Sequence, residues 1–103
     1  MAQGMALSEK QRKYLRGLAH SLSPVVLLGN AGLTDGVANE LDRALTDHEL
    51  VKVGARVGER SVRDAALDEL ARRTSSEIVH RIGNVGVFYR RRKDLPKILL
   101  PDR

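Results

Sequence analysis

Hydrophobic side chains recur with a helical period near the start of the 103-residue chain. When successive residues are placed about 100° apart, apolar residues occupy one arc and cations the opposite arc. Ser8 and Gln11 have the spacing of a capping box, which predicts that a first helix begins at Ser8. The side chains expected to face the core are Leu7, Tyr14, Leu15, Leu18 and Leu22.

Two segments in the middle of the chain have the composition of strands. The continuous apolar run at 25–28 predicts a strand that is covered on both faces and central in its sheet. Thr34 is a predicted N-cap for a second helix that ends near His48. Residues 50–57 then alternate between apolar and polar, which predicts a half-buried strand whose other face is wet and basic.

The second half of the chain predicts one more helix and a hairpin. The third helix is expected to begin at Ser61, where Asp64 completes a capping signal. Predicted strands at 78–82 and 85–90 flank the turn Gly83-Asn84. The order α-β-α-β-α-β-β indicates a small α/β domain in which a four-stranded mixed sheet packs with three helices.

The chain has the length of one domain. Residues 1–6 are expected to be a frayed N-terminus or a vector remnant, residues 7–91 the folded domain, and residues 92–103 a basic C-terminal arm. The apolar triplet at 98–100 could dock this arm onto the body. No segment has the pattern of a secretory signal or a membrane span, so we expect a cytoplasmic protein without a membrane partner.

Composition favours a polyanionic partner. Lys and Arg number 18 against 13 Asp and Glu, which gives a net charge of +5 and an isoelectric point of about 10.1. Such an excess attracts nucleic acid. The chain has no cysteine, which excludes disulfides, cysteine zinc sites and thiol nucleophiles.

The sequence offers no pattern typical of an active site. The three histidines fall in three different predicted elements, without the spacing of a helical metal site. A phosphate loop ending in Gly-Lys-Ser/Thr and a Gly-x-Ser-x-Gly elbow are both absent from the sequence. We therefore expect no catalytic residue, metal, cofactor or small-molecule substrate.

The loop Gly29-Asn30-Ala31-Gly32 is the strongest candidate for ligand contact. Two glycines at this spacing let a backbone approach closely, and the N-terminus of the following helix favours phosphate. The Gly83–Gly86 segment has the same spacing, but turn chemistry in a hairpin explains it. Asp35 lies in the first turn of the second helix and would compete with phosphate, so contact is expected from the loop itself.

Several blocks of sequence, in order, resemble the CRM domain, and more closely the stand-alone bacterial proteins of the YhbY type. The blocks are residues 7–12, 18–20, 24–29, 32–34, 48–53 and 98–101. The resemblance implies RNA binding, association with precursors of the large ribosomal subunit, and a fold similar to the C-terminal domain of bacterial translation initiation factor three. It assigns the family's Gly-x-x-Gly loop to Gly29–Gly32 and its basic first helix to Lys10, Arg12, Lys13 and Arg16. The arginine-rich segment at 90–93 is denser than the family pattern.

Aromatic residues are too few for an extended base-stacking platform. Tyr14 is expected to face the core, and Phe88 and Tyr89 are neighbours on a strand, so at most one ring should be exposed. Binding is therefore expected to depend on phosphates and shape. If about five cations contact phosphate, log K should fall with log salt with a slope of roughly −3.5 to −4.5.

The leading hypothesis is a monomeric RNA-binding factor that acts on ribosomal RNA in large-subunit precursors. Its predicted contacts are Gly29, Asn30, Ala31, Gly32, Lys10, Arg12, Lys13, Arg16, Lys52, Arg56, Arg90, Arg91 and Arg92. An alternative is a protein-interaction module that recognises a ribosomal protein or an RNA-processing enzyme. A binder of duplex DNA ranks lower, because the sequence has neither a helix-turn-helix pattern nor dimerisation heptads.

Overall fold

A computed structural model describes residues 6–56 and 58–103. Residues 1–5 and Val57 lie outside the described residues, and so do most of the predicted frayed N-terminus and the predicted end of the second strand. The elements are α1 (Glu9–Ala19), β1 (Val26–Leu28), α2 (Asp35–His48), β2 (Leu50–Ala55), α3 (Arg60–Thr74), β3 (Glu77–Ile82) and β4 (Val85–Tyr89). The predicted element order and the four-stranded mixed sheet with three helices are confirmed.

The strands lie in the order β1-β2-β4-β3, with β1 parallel to β2 and the other pairs antiparallel. The prediction that the apolar run at 25–28 is a central strand covered on both faces was wrong, since β1 is an edge strand and Leu27 is 58% exposed. The two interior strands are β2 and β4. The prediction that one face of β2 is wet was also wrong, because five of its six residues are buried. Leu27 lies over Gly54 of β2, at 3.1 Å from the position of a Cβ there, and covers a gap that the glycine leaves.

Helices α2 and α3 cover one face of the sheet. The core on this side includes Leu41 and Leu45 of α2, Leu67 and Leu70 of α3, and Phe88 of β4. Because alternate residues of a strand point to opposite faces, Val87 and Tyr89, which flank Phe88 in β4, point to the other face.

Helix α1 and the C-terminal arm cover part of the second face. Leu15 and Ala19 pack there against Leu50, Val87 and Tyr89. Ile98 and Leu100 of the arm pack against the same cluster, whereas Leu99 between them is 80% exposed, so two residues of the apolar triplet dock onto the body. Tyr89 and Phe88 are both buried, and neither supplies an exposed ring.

The start of α1 is built as predicted, but its buried stripe is narrower. The Ser8 hydroxyl accepts the Gln11 amide at 3.1 Å, and the Gln11 side chain accepts the Ser8 amide at 3.0 Å. The buried residues are Gln11, Leu15 and Ala19. The expectation that Tyr14 faces the core was wrong, since it is 42% exposed and is flanked on the same side by half-exposed Leu18.

The two other helices differ in how they begin. The Thr34 hydroxyl accepts the Val37 amide at 3.2 Å, which confirms the predicted N-cap of α2. Helix α3 begins one residue before the predicted Ser61 and has Glu59 as N-cap without a side-chain capping bond. The Ser61 hydroxyl instead donates to the Glu59 carboxylate, so the predicted capping signal was wrong.

Within the described ranges, no helix is long and apolar enough to cross a membrane. Among the same residues, no three His, Cys, Asp or Glu side chains stand close enough together to hold a metal ion.

Candidate nucleic-acid interface

The segment Gly29–Gly32 is an open turn at the carboxyl end of β1. The Gly32 amide donates to the Gly29 carbonyl at 2.9 Å, and Gly32 has φ +75°, a conformation that favours glycine. Apart from the glycine itself and its two chain neighbours, no atom of the described residues lies within 4 Å of the place where a Cβ would stand at Gly29 or Gly32. Asn30 and Ala31 are exposed, and in the described part of the chain their amides have no protein acceptor. These amides can therefore donate to an external acceptor.

Arg56 stands beside this turn. Its backbone amide donates to the carbonyl of Leu28, the residue immediately before Gly29, at 2.7 Å. Its side chain is exposed and forms no ion pair with the described residues. The neighbouring Ala55 amide donates to the carbonyl of Asn84 at 2.7 Å, so the hairpin turn lies at the same end of the sheet. We call this region, residues 29–32 with Arg56, the loop end.

Asp35, which was expected to oppose a phosphate, has a cationic partner. Arg73 from the last turn of α3 approaches its carboxylate to 2.5 Å. The pair is solvent-exposed, so its contribution to stability is small. Its effect on the local field is more direct, because a positive charge now accompanies the acid at the start of α2. No local pattern predicts this pair, because its members lie 38 positions apart.

The predicted basic face of α1 is only partly free. Arg12 donates to the Glu77 carboxylate and to the Ile78 carbonyl, so it holds α1 against β3. Arg16 lies 3.5 Å from the Glu9 carboxylate. Lys10 and Lys13 are exposed and form no ion pair with the described residues. These two lysines are the available cations of the helix.

Lys52 has a local structural role. Its ammonium donates to the Leu22 carbonyl at 2.9 Å, just beyond the end of α1. The bond connects β2 to the turn that leads from α1 into β1. Lys52 is half-buried, in contrast to exposed Arg56.

Arg90 is also engaged within the fold. Its guanidinium donates to the Asp42 carboxylate at 2.7 Å and carbonyl at 2.9 Å, to the Thr46 hydroxyl at 3.0 Å, and to the Thr74 carbonyl at 2.8 Å. These contacts connect the end of β4 to both helices of that face. They leave Arg90 little capacity for an external anion.

The arginines after β4 lie at the far end of the sheet from the Gly29–Gly32 turn. Tyr89 pairs with Leu50 at the start of β2, whereas Leu28 pairs with Ala55 at its end. Five residues of strand separate the two ends by about 17 Å. The structure therefore brings Arg56 to the glycine turn but places Arg91 and Arg92 elsewhere.

A buried carboxylate holds the backbone around these arginines. Glu49 is 0% exposed and accepts the amides of Arg92 at 2.7 Å, Lys97 at 2.8 Å and Ile98 at 2.6 Å. It has φ +66°, a strained conformation for a residue with a side chain. We call this set of three bonds the Glu49 latch. It fixes residues 92–98 as an ordered loop.

Tyr89 lies close to the latch. Burial raises the pKa of its phenol, the Glu49 carboxylate raises this pKa further, and Arg91 opposes the change. Its hydroxyl is buried and has no hydrogen-bond partner among the described residues. The neutral phenol is thus the form that the folded state favours.

Comparison with known families identifies the domain. The sequence model of the CRS1 / YhbY (CRM) domain matches residues 7–90. The chain belongs to the CRM domain family. The resemblance drawn from the sequence blocks is thereby confirmed.

Curated relatives of the chain come from several bacteria. A Haemophilus influenzae protein named RNA-binding protein is 43% identical over 95 residues, which cover 92% of this chain and 95% of the relative. A Pseudomonas aeruginosa protein is 45% identical over 87 residues, which cover 84% of each chain, and a Bacillus subtilis protein is 32% identical over 95 residues, which cover 92% of this chain and 99% of the relative. The names of both describe a probable RNA-binding protein.

A solved structure has the same fold. The solution structure of the hypothetical protein SAV1595 from Staphylococcus aureus matches with a TM-score of 0.80 and 33% sequence identity. The match covers 93% of this chain and 100% of that one. The α/β architecture is therefore shared along nearly the whole length of both chains.

Proposed function

We propose that this CRM protein binds RNA, and that it associates with ribosomal RNA in precursors of the large ribosomal subunit during ribosome assembly. The RNA-binding part of the proposal is supported by the names of its relatives. The observation that carries it for this chain is the open Gly29–Gly32 turn beside exposed Arg56, which has no ion pair within residues 6–56 and 58–103.

Phosphate is the group that this arrangement suits. Backbone amides at Asn30 and Ala31 can donate to a phosphate oxygen, and a guanidinium can donate two parallel hydrogen bonds to the same group. The absence of side chains at Gly29 and Gly32 lets a sugar-phosphate backbone approach the turn. Such contacts position RNA without reading its sequence, so recognition is expected to depend on RNA shape.

Fluorescence anisotropy with a structured RNA hairpin tests the loop end. Arg56→Gln is expected to weaken binding and to reduce the slope of log K against log salt by about 0.7 to 0.9, the share of one phosphate contact. Arg43→Gln is the matched control, because Arg43 is exposed on α2 and makes no hydrogen bond or ion pair with the described residues. Equal affinities for the two variants would remove Arg56 from the site.

The ribosomal part of the proposal needs cell extract. The tagged protein is expected to sediment with precursors of the large ribosomal subunit, and ribonuclease treatment should release it. Sedimentation only at the top of the gradient without nuclease would contradict ribosomal association.

A second candidate function rests on an uncovered apolar surface. Leu27 is 58% exposed and Ile82 is 62% exposed, and both lie on the sheet face that α1 covers only in part. A protein-interaction module would use such a surface. In that case the protein should stay with its partner after ribonuclease treatment, and Leu27→Ser should release it while RNA affinity stays unchanged.

A further inference from the structure

A second basic region lies at the far end of the sheet from the Gly29–Gly32 turn. It is an open groove of about 1370 Å³, bounded by the end of α3 and by the residues after β4. Six cations line it against three acids, and of the six, Arg91, Arg92 and Lys93 form no ion pair with the described residues. These three are consecutive and make up one wall of the groove.

The latch gives this wall a fixed shape. Glu49 accepts the amides of Arg92, Lys97 and Ile98, so the backbone that carries the cations is held from both sides. Pro101 adds a further attachment, because its carbonyl accepts the Gln11 side chain at 3.0 Å. An ordered loop loses less conformational entropy on binding than a flexible basic tail would.

Hydroxyl groups complete the groove. Ser75 lines it with an exposed hydroxyl that has no hydrogen-bond partner among the described residues, whereas the hydroxyls of Thr46 and Ser76, which also line it, bond within the fold. Hydroxyls and guanidinium groups are the usual partners of phosphate oxygens in protein contacts with nucleic acid. The chemistry therefore fits a sugar-phosphate chain.

We propose that this groove is a second RNA-binding site, so that one domain holds two RNA segments at opposite ends of its sheet. The inference rests on the proposed RNA-binding function and extends it, because a protein with two separate contacts can bridge distant parts of a folded RNA. The cationic wall of the groove and the glycine turn lie about 17 Å apart along β2, and Arg73, which also lines the groove, pairs with Asp35 at the start of α2.

The test counts bound copies of a short RNA hairpin by native mass spectrometry at low salt. The unchanged protein is expected to bind two hairpins, and the double variant Arg91→Gln/Lys93→Gln only one. The same double variant should reduce the slope of log K against log salt by up to about 1.8. Arg43→Gln/Lys97→Gln removes the same charge outside the groove, keeps the backbone amide of residue 97, and should still bind two.

The outcomes separate this inference from the proposed function. One hairpin on the unchanged protein, or two on the groove variant, would overturn the second site while the Arg56→Gln result still stands for the first. No hairpin on the unchanged protein would overturn both. A different outcome is that the groove substitutions abolish the binding of a polyglutamate peptide and leave the number of bound hairpins unchanged. That result would assign the groove to an acidic protein and overturn the inference.

Discussion

Glu49→Gln tests whether the latch holds the C-terminal arm. One carboxylate oxygen accepts the amides of Lys97 and Ile98, and the other accepts the amide of Arg92. Glutamine keeps one acceptor oxygen but presents an amide NH₂ to the remaining donor. The partly buried amide of Arg92 would then have no protein acceptor.

The size of the effect follows from these three bonds. A hydrogen bond to a charged group contributes about 1.5–3 kcal/mol and a neutral one about 0.5–1.5, while an unsatisfied buried donor costs about 1–3 kcal/mol. Two weakened bonds lose about 2–3 kcal/mol together and one orphaned amide about 1–3, which predicts a loss of about 3 to 6 kcal/mol in the free energy of unfolding. For a domain of this size, that loss lowers the melting temperature by about 12 °C or more.

Urea unfolding followed by far-UV circular dichroism measures the loss, and amide hydrogen exchange locates it. Exchange at Arg92, Lys97 and Ile98 should accelerate more than exchange in the sheet. Glu40→Gln is the matched control, because Glu40 is exposed on α2 and makes no hydrogen bond or ion pair with the described residues, and it should change stability by less than about 0.5 kcal/mol. A free energy of unfolding for Glu49→Gln that changes as little as that of Glu40→Gln would show that the Glu49 latch does not hold the arm.

Three further substitutions test other parts of the structure. Tyr89→Phe removes an orphaned hydroxyl and should raise the free energy of unfolding by up to about 1 kcal/mol. Because the pKa of Tyr89 is raised in the folded state, ionisation of its phenol opposes folding. The free energy of unfolding is unaffected by this ionisation below pH about 10 and falls as the pH rises further, so Tyr89→Phe should lose less stability in alkali. Gly32→Ala strains a backbone at φ +75° and should cost about 1 kcal/mol while weakening RNA binding in anisotropy. Lys10→Gln/Lys13→Gln removes the two exposed lysines of α1 that have no ion pair among the described residues, and should weaken RNA binding without lowering the melting temperature.

Each of these has a contrary result. A loss of more than about 1 kcal/mol for Tyr89→Phe would show that the hydroxyl has a partner. Unchanged RNA affinity of Gly32→Ala would separate the turn conformation from binding. Unchanged affinity of the α1 double variant would exclude that helix from the RNA contact.

Local patterns in the sequence predicted the elements well. The capping box at Ser8, the cap at Thr34 and the hairpin at Gly83 involve residues a few positions apart, so a short stretch of sequence is enough to predict them. Relations between distant elements were less accessible. The edge strand β1 pairs only with β2, where Leu27 lies opposite Gly54, and no local period reveals a pairing between segments so far apart in sequence.

The sequence predicted which types of residue form the candidate site better than it predicted which of those residues lie together in the fold. Arg12 and Arg90 have the same appearance in the sequence as Arg56, but their acceptors lie 65 and 48 positions away and engage them within the fold. Glu49 looked like an ordinary acid before a strand, because its three donors lie 43 to 49 positions further along. Such partners become evident only when the chain is folded.

A nuclear magnetic resonance titration of the labelled protein with a structured RNA hairpin tests the central claim most directly. The amide signals of Asn30, Ala31, Gly32 and Arg56 are expected to shift, and the shifts should diminish as salt is raised. If RNA binds while these four signals stay in place, its phosphates do not lie on the glycine turn and the proposed site is wrong.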